Sequence, residues 1–271
     1  MREKSLTVLF LVYAVLWIGG VVSHAIYGGP ADTEKWAAAA FLWIAGLITR
    51  FSSERSPSLF LALASAAALA IELLGVATGK IFGTYEYTDA LGFRLLDAPV
   101  VIAMAWCILL GYVWHGTSYL RHGVLARAAV GALWMTCLDL LVDPLAAGPL
   151  AYWRWIGGGW YEGIPLSNFT GWFVVSFVLL LFLHQRRLKN SVARAIGLSV
   201  LMFFTVLAGL RGMIIPAFVG TALMALDILL LPSEREGMLR SLRPFFWHKR
   251  VGRGQSSIDR NPVRSFRESD T

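Results

Sequence analysis

Four carboxylates stand inside, or at the end of, long apolar stretches of this 271-residue chain: Glu72, Asp139, Asp143 and Asp227. An ionisable group in such a setting costs about 2.5–3.5 kcal/mol on insertion scales, so each needs a reason to be there. Asp139 and Asp143 are four residues apart and share one face of a helix, one turn from each other. Two carboxylates that close repel, and Asp143 also faces the negative end of its helix dipole, which favours sharing a proton over double ionisation. A carboxyl that keeps its proton near neutral pH is what general-acid chemistry requires. The bland alternative is a hydrogen-bonded helix end plus a buried structural acid. Asp227 has no acidic neighbour in sequence and reads as the partner of a cation. The Asp-x-x-x-Asp spacing also suits Mg²⁺ holding a diphosphate. Such a site needs further acidic ligands, for which Glu86 and Asp89 are the nearest candidates.

Other chemistries find less support. His24, His115, His122, His184 and His248 form no paired box of the kind that holds two irons. No glycine-rich loop sits between a strand and a helix, and Gly157-Gly158-Gly159 reads as a flexible turn. Cys107 and Cys137 lie in apolar blocks and read as buried free thiols, with neither a disulfide framework nor metal-type spacing. No metal site is expected. Aromatic residues crowd one segment: Tyr152, Trp153, Trp155, Trp160, Tyr161, then Phe169 and Trp172. They suit an interfacial belt, or the lining of a site for a long apolar ligand with ring faces near a carbocation.

The elements that must position these groups follow from composition. Apolar residues make up 57% of the chain and charged residues 15%, well below the roughly one quarter charged that a soluble domain carries. The apolar residues form blocks, several near the roughly 20 residues needed to cross a bilayer, and lipid admits only helices or closed barrels. Strand-like alternation is absent, so the expected fold is all-α: a polytopic membrane protein of about eight transmembrane helices, near 6–26, 36–49, 58–78, 98–114, 124–142, 166–184, 193–210 and 213–231. The first is read as a retained helix, not a cleaved signal peptide. The second is the shortest, and seven spans result if it does not cross. With the N-terminus in the cytoplasm, most Lys and Arg fall on the cytoplasmic side, leaving Lys35, Lys80, Arg94, Arg154 and Arg211 opposite, as positive-inside counting favours. The chain then divides into a transmembrane domain, 1–232, and a basic, mobile cytoplasmic tail, 233–271, that touches anionic lipid. The net charge of +7 is thereby assigned to a membrane surface and not to nucleic acid. The loops 79–97 and 143–165 lie on the non-cytoplasmic side and are rich in Gly, Tyr, Trp and acids, the make-up of functional loops.

Two stretches carry a family resemblance. One is Glu72-Leu-Leu-Gly75 with Thr78-Gly79-Lys80-Ile81-Phe82-Gly83-Thr84-Tyr85-Glu86-Tyr87, then Leu91-Gly92, Pro99 and Trp106. The other is Asp139-Leu-Leu-Val-Asp143-Pro144, then Tyr152-Trp153, then Tyr161-Glu162-Gly163-Ile164-Pro165-Leu166-Ser167-Asn168-Phe169-Thr170-Gly171-Trp172. Together they resemble the membrane-bound carotenoid biosynthesis family that includes the CruF-type carotenoid hydratases, over most of residues 60–230. The resemblance implies cofactor-independent addition of water across the terminal double bond of an acyclic ψ end group, giving a tertiary alcohol. It implies a carotenoid substrate of the γ-carotene or lycopene type, and contact with other enzymes of carotenoid biosynthesis. The basic balance favours a bacterial cytoplasmic membrane over a haloarchaeal one. On this reading Asp139 or Asp143 is the acid; Glu72, Tyr85, Tyr87, Tyr161 and Asn168 hold water and cation; and Trp153 and Trp172 contact substrate. The rivals are a Mg-dependent prenyltransferase, a lycopene-cyclase-like isomerase and a carotenoid-binding protein without catalysis.

Overall fold

The structure is a computed structural model and describes residues 2–30 and 36–230. The expected tail, 233–271, and Lys35 lie outside the described residues.

The chain is an all-α polytopic membrane protein. Eight α-helices are described: α1 (Arg2–Ile26), α2 (Trp36–Ser52), α3 (Arg55–Thr78), α4 (Ile102–Thr117), α5 (Val124–Ala147), α6 (Leu166–Leu183), α7 (Ser191–Leu210) and α8 (Ile214–Leu230). Five are long and apolar enough to cross a membrane, within α1, α3, α5, α6 and α7; α2, α4 and α8 are apolar but shorter, at 16–17 residues. The outer surface is itself apolar. Val15, Ile18, Leu63, Val174, Val178, Ile214 and Phe218 are all exposed, a distribution that suits lipid and would be a liability in water.

The centre of the bundle is α4, which is apolar all round and buried nearly all round, from Ile102 through Trp106, Leu110 and Tyr112 to Trp114. Such a helix belongs in a core. It packs on α2, α3, α5 and α7, while α6 lies along α5 and α8 along α5 and α7. Close approach relies on missing side chains. A Cβ on Gly197 of α7 would collide with the Tyr112 ring. That lets the Tyr112 hydroxyl reach across to donate to Asp227 Oδ1 at 3.0 Å. Asp227 pairs with Arg194 at 2.7 Å, both side chains at most 3% exposed. The cation expected for Asp227 is therefore Arg194. It lies buried inside α7, although it counts among the Lys and Arg assigned above to the cytoplasmic side.

Two boundaries depart from the sequence reading in ways that matter. The fourth helix starts at Ile102, not near residue 98, because Ala98–Pro99 instead forms a short strand, β3, against β2 (Arg94–Leu95). The fifth runs on through Pro144 to Ala147. Asp143 thus sits a turn inside the helix and not at its end. Proline lacks an N–H and so leaves the carbonyl four residues back without its helical donor. Here that carbonyl belongs to Leu140, and the Tyr161 hydroxyl donates to it at 2.7 Å.

The two long loops meet each other. β1 (Tyr85–Tyr87) pairs antiparallel with β4 (Trp153–Trp155), with Tyr85 opposite Trp155 and Tyr87 opposite Trp153. Alternation along a strand sends every second side chain to the same face, so Tyr85 and Tyr87 are buried while Glu86 between them is exposed. The ribbon closes one end of the bundle over the acids. Its approach begins at Gly79, which caps α3 in the left-handed conformation (φ 65°) with its N–H on Gly75 O. A residue with a side chain would be strained there.

Candidate active site

Beneath the ribbon lies a cavity of about 860 Å³, counting the space at its mouth, lined by all three intramembrane acids of the expected set: Glu72 from α3, and Asp139 and Asp143 from α5. Tyr85, Tyr87, Trp153, Asn168 and Trp172 also line it, as do Trp106, Tyr152 and Trp155. The wall is otherwise apolar, with Leu42, Leu109, Val200 and Phe204 carrying the cavity between α2, α4 and α7. A concave apolar space with a few convergent polar groups is the ordinary form of a small-molecule site.

Asn168 is placed by the first turn of α6 and joins the acid pair. Its amide nitrogen Nδ2 donates to Asp139 Oδ2 at 2.6 Å and to Asp143 Oδ2 at 2.7 Å. An amide –NH₂ has two hydrogens, one for each carboxyl group; the reverse orientation would set oxygen against oxygen. Asp143 receives more: the indole N–H groups of Trp153 and Trp155 reach its Oδ1 at 2.6 and 3.2 Å. Asp143 therefore has three donors and Asp139 one, among the described residues. All three residues of this bridge are buried.

Glu72 is held differently. The hydroxyls of Tyr85 and Tyr87 both donate to its Oε1, the latter at 2.7 Å, and the Trp106 ring lines the same cavity. Burial first, and the Glu72 charge second, push both phenols well above their ordinary range. They remain neutral donors at any working pH. Packing fixes the rings: Trp106 stacks on Trp172 with centroids 4.5 Å apart, and Tyr85 lies against Trp155 at 4.9 Å.

The floor of the site depends on a contact between helix and loop. A Cβ on Gly171 of α6 would collide with the Ile81 carbonyl and stand 2.8 Å from the Phe82 ring. Glycine at this position lets the loop after α3 lie directly on α6, and the Ser167 hydroxyl donates to Phe82 O at 3.1 Å. Glu72 and Asn168 are thereby brought into one cavity.

Of the sequence-derived set, Tyr161 is the one residue absent from the cavity wall. It packs with Ile164 and Phe169 in a separate small cluster and holds the Leu140 carbonyl. Glu86 and Asp89 do not join the acid pair. Glu86 points outward from β1, and Asp89 is fully exposed and pairs with Arg94 at 2.6 Å. No cluster of three or more His, Cys, Asp or Glu arranged to hold a metal ion occurs among the described residues. Trp155, the second indole on Asp143, and Trp106, stacked on Trp172, were not among the expected site residues. The signal for Trp155 was present: Tyr-Glu-Tyr and Trp-Arg-Trp alternate aromatic and charged side chains with the period of a strand.

Residues 35–227 match the family model described as carotenoid biosynthesis protein. The chain belongs to the carotenoid biosynthesis protein family. No curated protein and no solved structure matches it. The matched span holds every residue of the cavity described above and leaves out α1.

Proposed function

We propose that this carotenoid biosynthesis protein is a hydratase that adds water to the terminal double bond of an acyclic carotenoid end group, without a cofactor. The observation that carries the reading is the uneven supply of hydrogen-bond donors around one acid pair. Donors favour the ionised form of a carboxylate. Asp143, with three, is the anion; Asp139, with one, keeps the proton. Asp139 is accordingly the general acid and Asp143 the charge that faces the cation.

The steps balance as an addition. Asp139 gives its proton to the less substituted carbon of the terminal alkene, and the π electrons form the new C–H bond. The neighbouring carbon becomes a tertiary cation. The Asp143 carboxylate and the faces of Trp153, Trp155 and Trp172 stabilise it. A water held at Glu72, with Tyr85 and Tyr87 fixing that carboxylate, attacks the cation through oxygen and releases one proton to the carboxylate set. That proton restores Asp139. The net change is one water gained. General-acid catalysis of this kind contributes about 10²–10⁴-fold.

The apolar wall between α2, α4 and α7 suits the polyene behind the reacting end. Membranes containing the protein, incubated with lycopene or γ-carotene, are expected to yield a pigment heavier by one water, with equal yield in EDTA. A product of unchanged mass would instead indicate cyclisation, and activity abolished by EDTA would point to a metal-dependent transfer. Either result would end the proposal.

A further inference from the structure

At the end of the bundle opposite the acids, α5 begins at Gly123, and no acidic residue occupies its first turn. The first turn of a helix presents N–H groups without helical acceptors and the positive end of the dipole. Arg127 stands in that turn and is 5% exposed. Side chains lean toward the N-terminus of their helix, so its guanidinium lies over the helix start. Among the described residues only Nη2 has a partner, the His184 carbonyl at 3.4 Å, while Nε and Nη1 are buried with none. A guanidinium buried with unmet donors is costly unless an anion completes it.

The surroundings add positive charge and no carboxylate. Arg187 is exposed beside the site, with its Nη1 on Ser118 O at 3.4 Å. No carboxylate of the described residues pairs with Arg127 or Arg187. His184 is 2% exposed. The Thr117 hydroxyl donates to Val113 O at 2.6 Å, so it accepts from His184 Nε2 at 3.0 Å, and His184 Nδ1 is buried with no partner among the described residues. Burial, then the Arg127 and Arg187 cations, hold this imidazole down to about 4. An anion placed here would let Nδ1 take a proton and become a further donor.

We propose that Arg127, Arg187, His184 and the start of α5 form a binding site for a phosphate-type anion, either the headgroup of an anionic lipid or free phosphate. A forked guanidinium beside a helix N-terminus matches phosphate oxygens in geometry and charge. The site is independent of the acid cavity and stands whether or not the hydratase reading does.

The test is binding to the detergent-solubilised full chain of three probes: phosphatidylglycerol, phosphatidylcholine and inorganic phosphate. Native mass spectrometry would count bound lipid, and thermal stability would report phosphate. Phosphatidylglycerol is expected to bind about tenfold more tightly than phosphatidylcholine, and R127Q and R187Q each to abolish that preference. Arg187 is exposed, so R187Q carries the test even if R127Q does not fold. Stabilisation by inorganic phosphate that both variants lose, with no lipid preference, would support the site and identify free phosphate as its ligand. Equal binding of the two lipids with no effect of phosphate, or a preference unchanged in R187Q, would overturn the proposal.

Discussion

Asn168 holds two carboxyl groups with one amide, and the proposed division of labour between Asp139 and Asp143 rests on the two indoles that reach Asp143 alone. The substitution D139N removes the proton donor while keeping shape and a hydrogen bond to the bridge. Hydration is expected to fall by about 10²–10⁴-fold, with the fold retained, as read by pigment analysis and a melting curve on the same preparation. N168A leaves the acids unbridged and should cost at least about tenfold in turnover, since it removes a charge-assisted donor from Asp143 and a neutral one from Asp139. An N168A enzyme as active as the parent would show that the bridge is structural only. Much of this site was legible in the chain. Carboxylates four apart in an apolar block announce a shared face, and Glu72 stands out by its cost. The role of Asn168 was not legible from composition or spacing, because an amide in a polar loop-to-helix junction has many ordinary uses. It entered through the family resemblance, and only the fold sets it between the two acids.

At the scale of elements, Pro144 opens one carbonyl of α5 and Tyr161 closes it. Burial first, then the nearby Glu162 charge, push the Tyr161 phenol up to about 12. Because the group loses its proton only above that value, it donates to Leu140 O throughout the neutral range. Y161F is expected to destabilise by about 0.5–1.5 kcal/mol, the worth of one hydrogen bond, and the size of that loss should be the same at pH 6 and pH 9. A loss confined to one end of that range would contradict the assignment. Gly171 gives a second test. G171A should lower the melting temperature and activity together by pushing the loop off α6. G209A, where an added Cβ meets nothing within 4 Å, should lower neither by that mechanism. The helices were readable from hydropathy because apolar blocks of this length have few alternatives in lipid. The β1–β4 ribbon was harder to read. Strands of three residues carry too little periodicity to stand out, and their pairing joins loops 66 residues or more apart. That pairing brings Trp155 to Asp143, while Tyr161 packs apart from the cavity with Ile164 and Phe169.

For the molecule as a whole, the Arg194–Asp227 pair ties α7 to α8 in a region far from the acid cavity. Removing one partner strands the other charge in the interior. D227A is therefore expected to cost about 3–5 kcal/mol in stability, seen as a lower melting temperature in detergent. Replacing both with apolar residues should recover most of that loss. The pairing itself was half readable: Asp227 asked for a cation, but positive-inside counting assigned Arg194, at the start of the helix expected at 193–210, to the cytoplasmic side. The same architecture explains why chemistry on a water-insoluble pigment needs a site of this form. On the proposed reading the polyene lies among apolar helices, and only its end reaches the buried carboxyl groups.

The central claim is that solvent water is added to that end. The most direct measurement incubates membranes carrying the protein with lycopene or γ-carotene, without oxygen, in ¹⁸O-labelled water, and weighs the pigments. The account predicts a product heavier by one labelled water, absent with D139N. A product lacking the label, or one formed equally well by D139N, would contradict it.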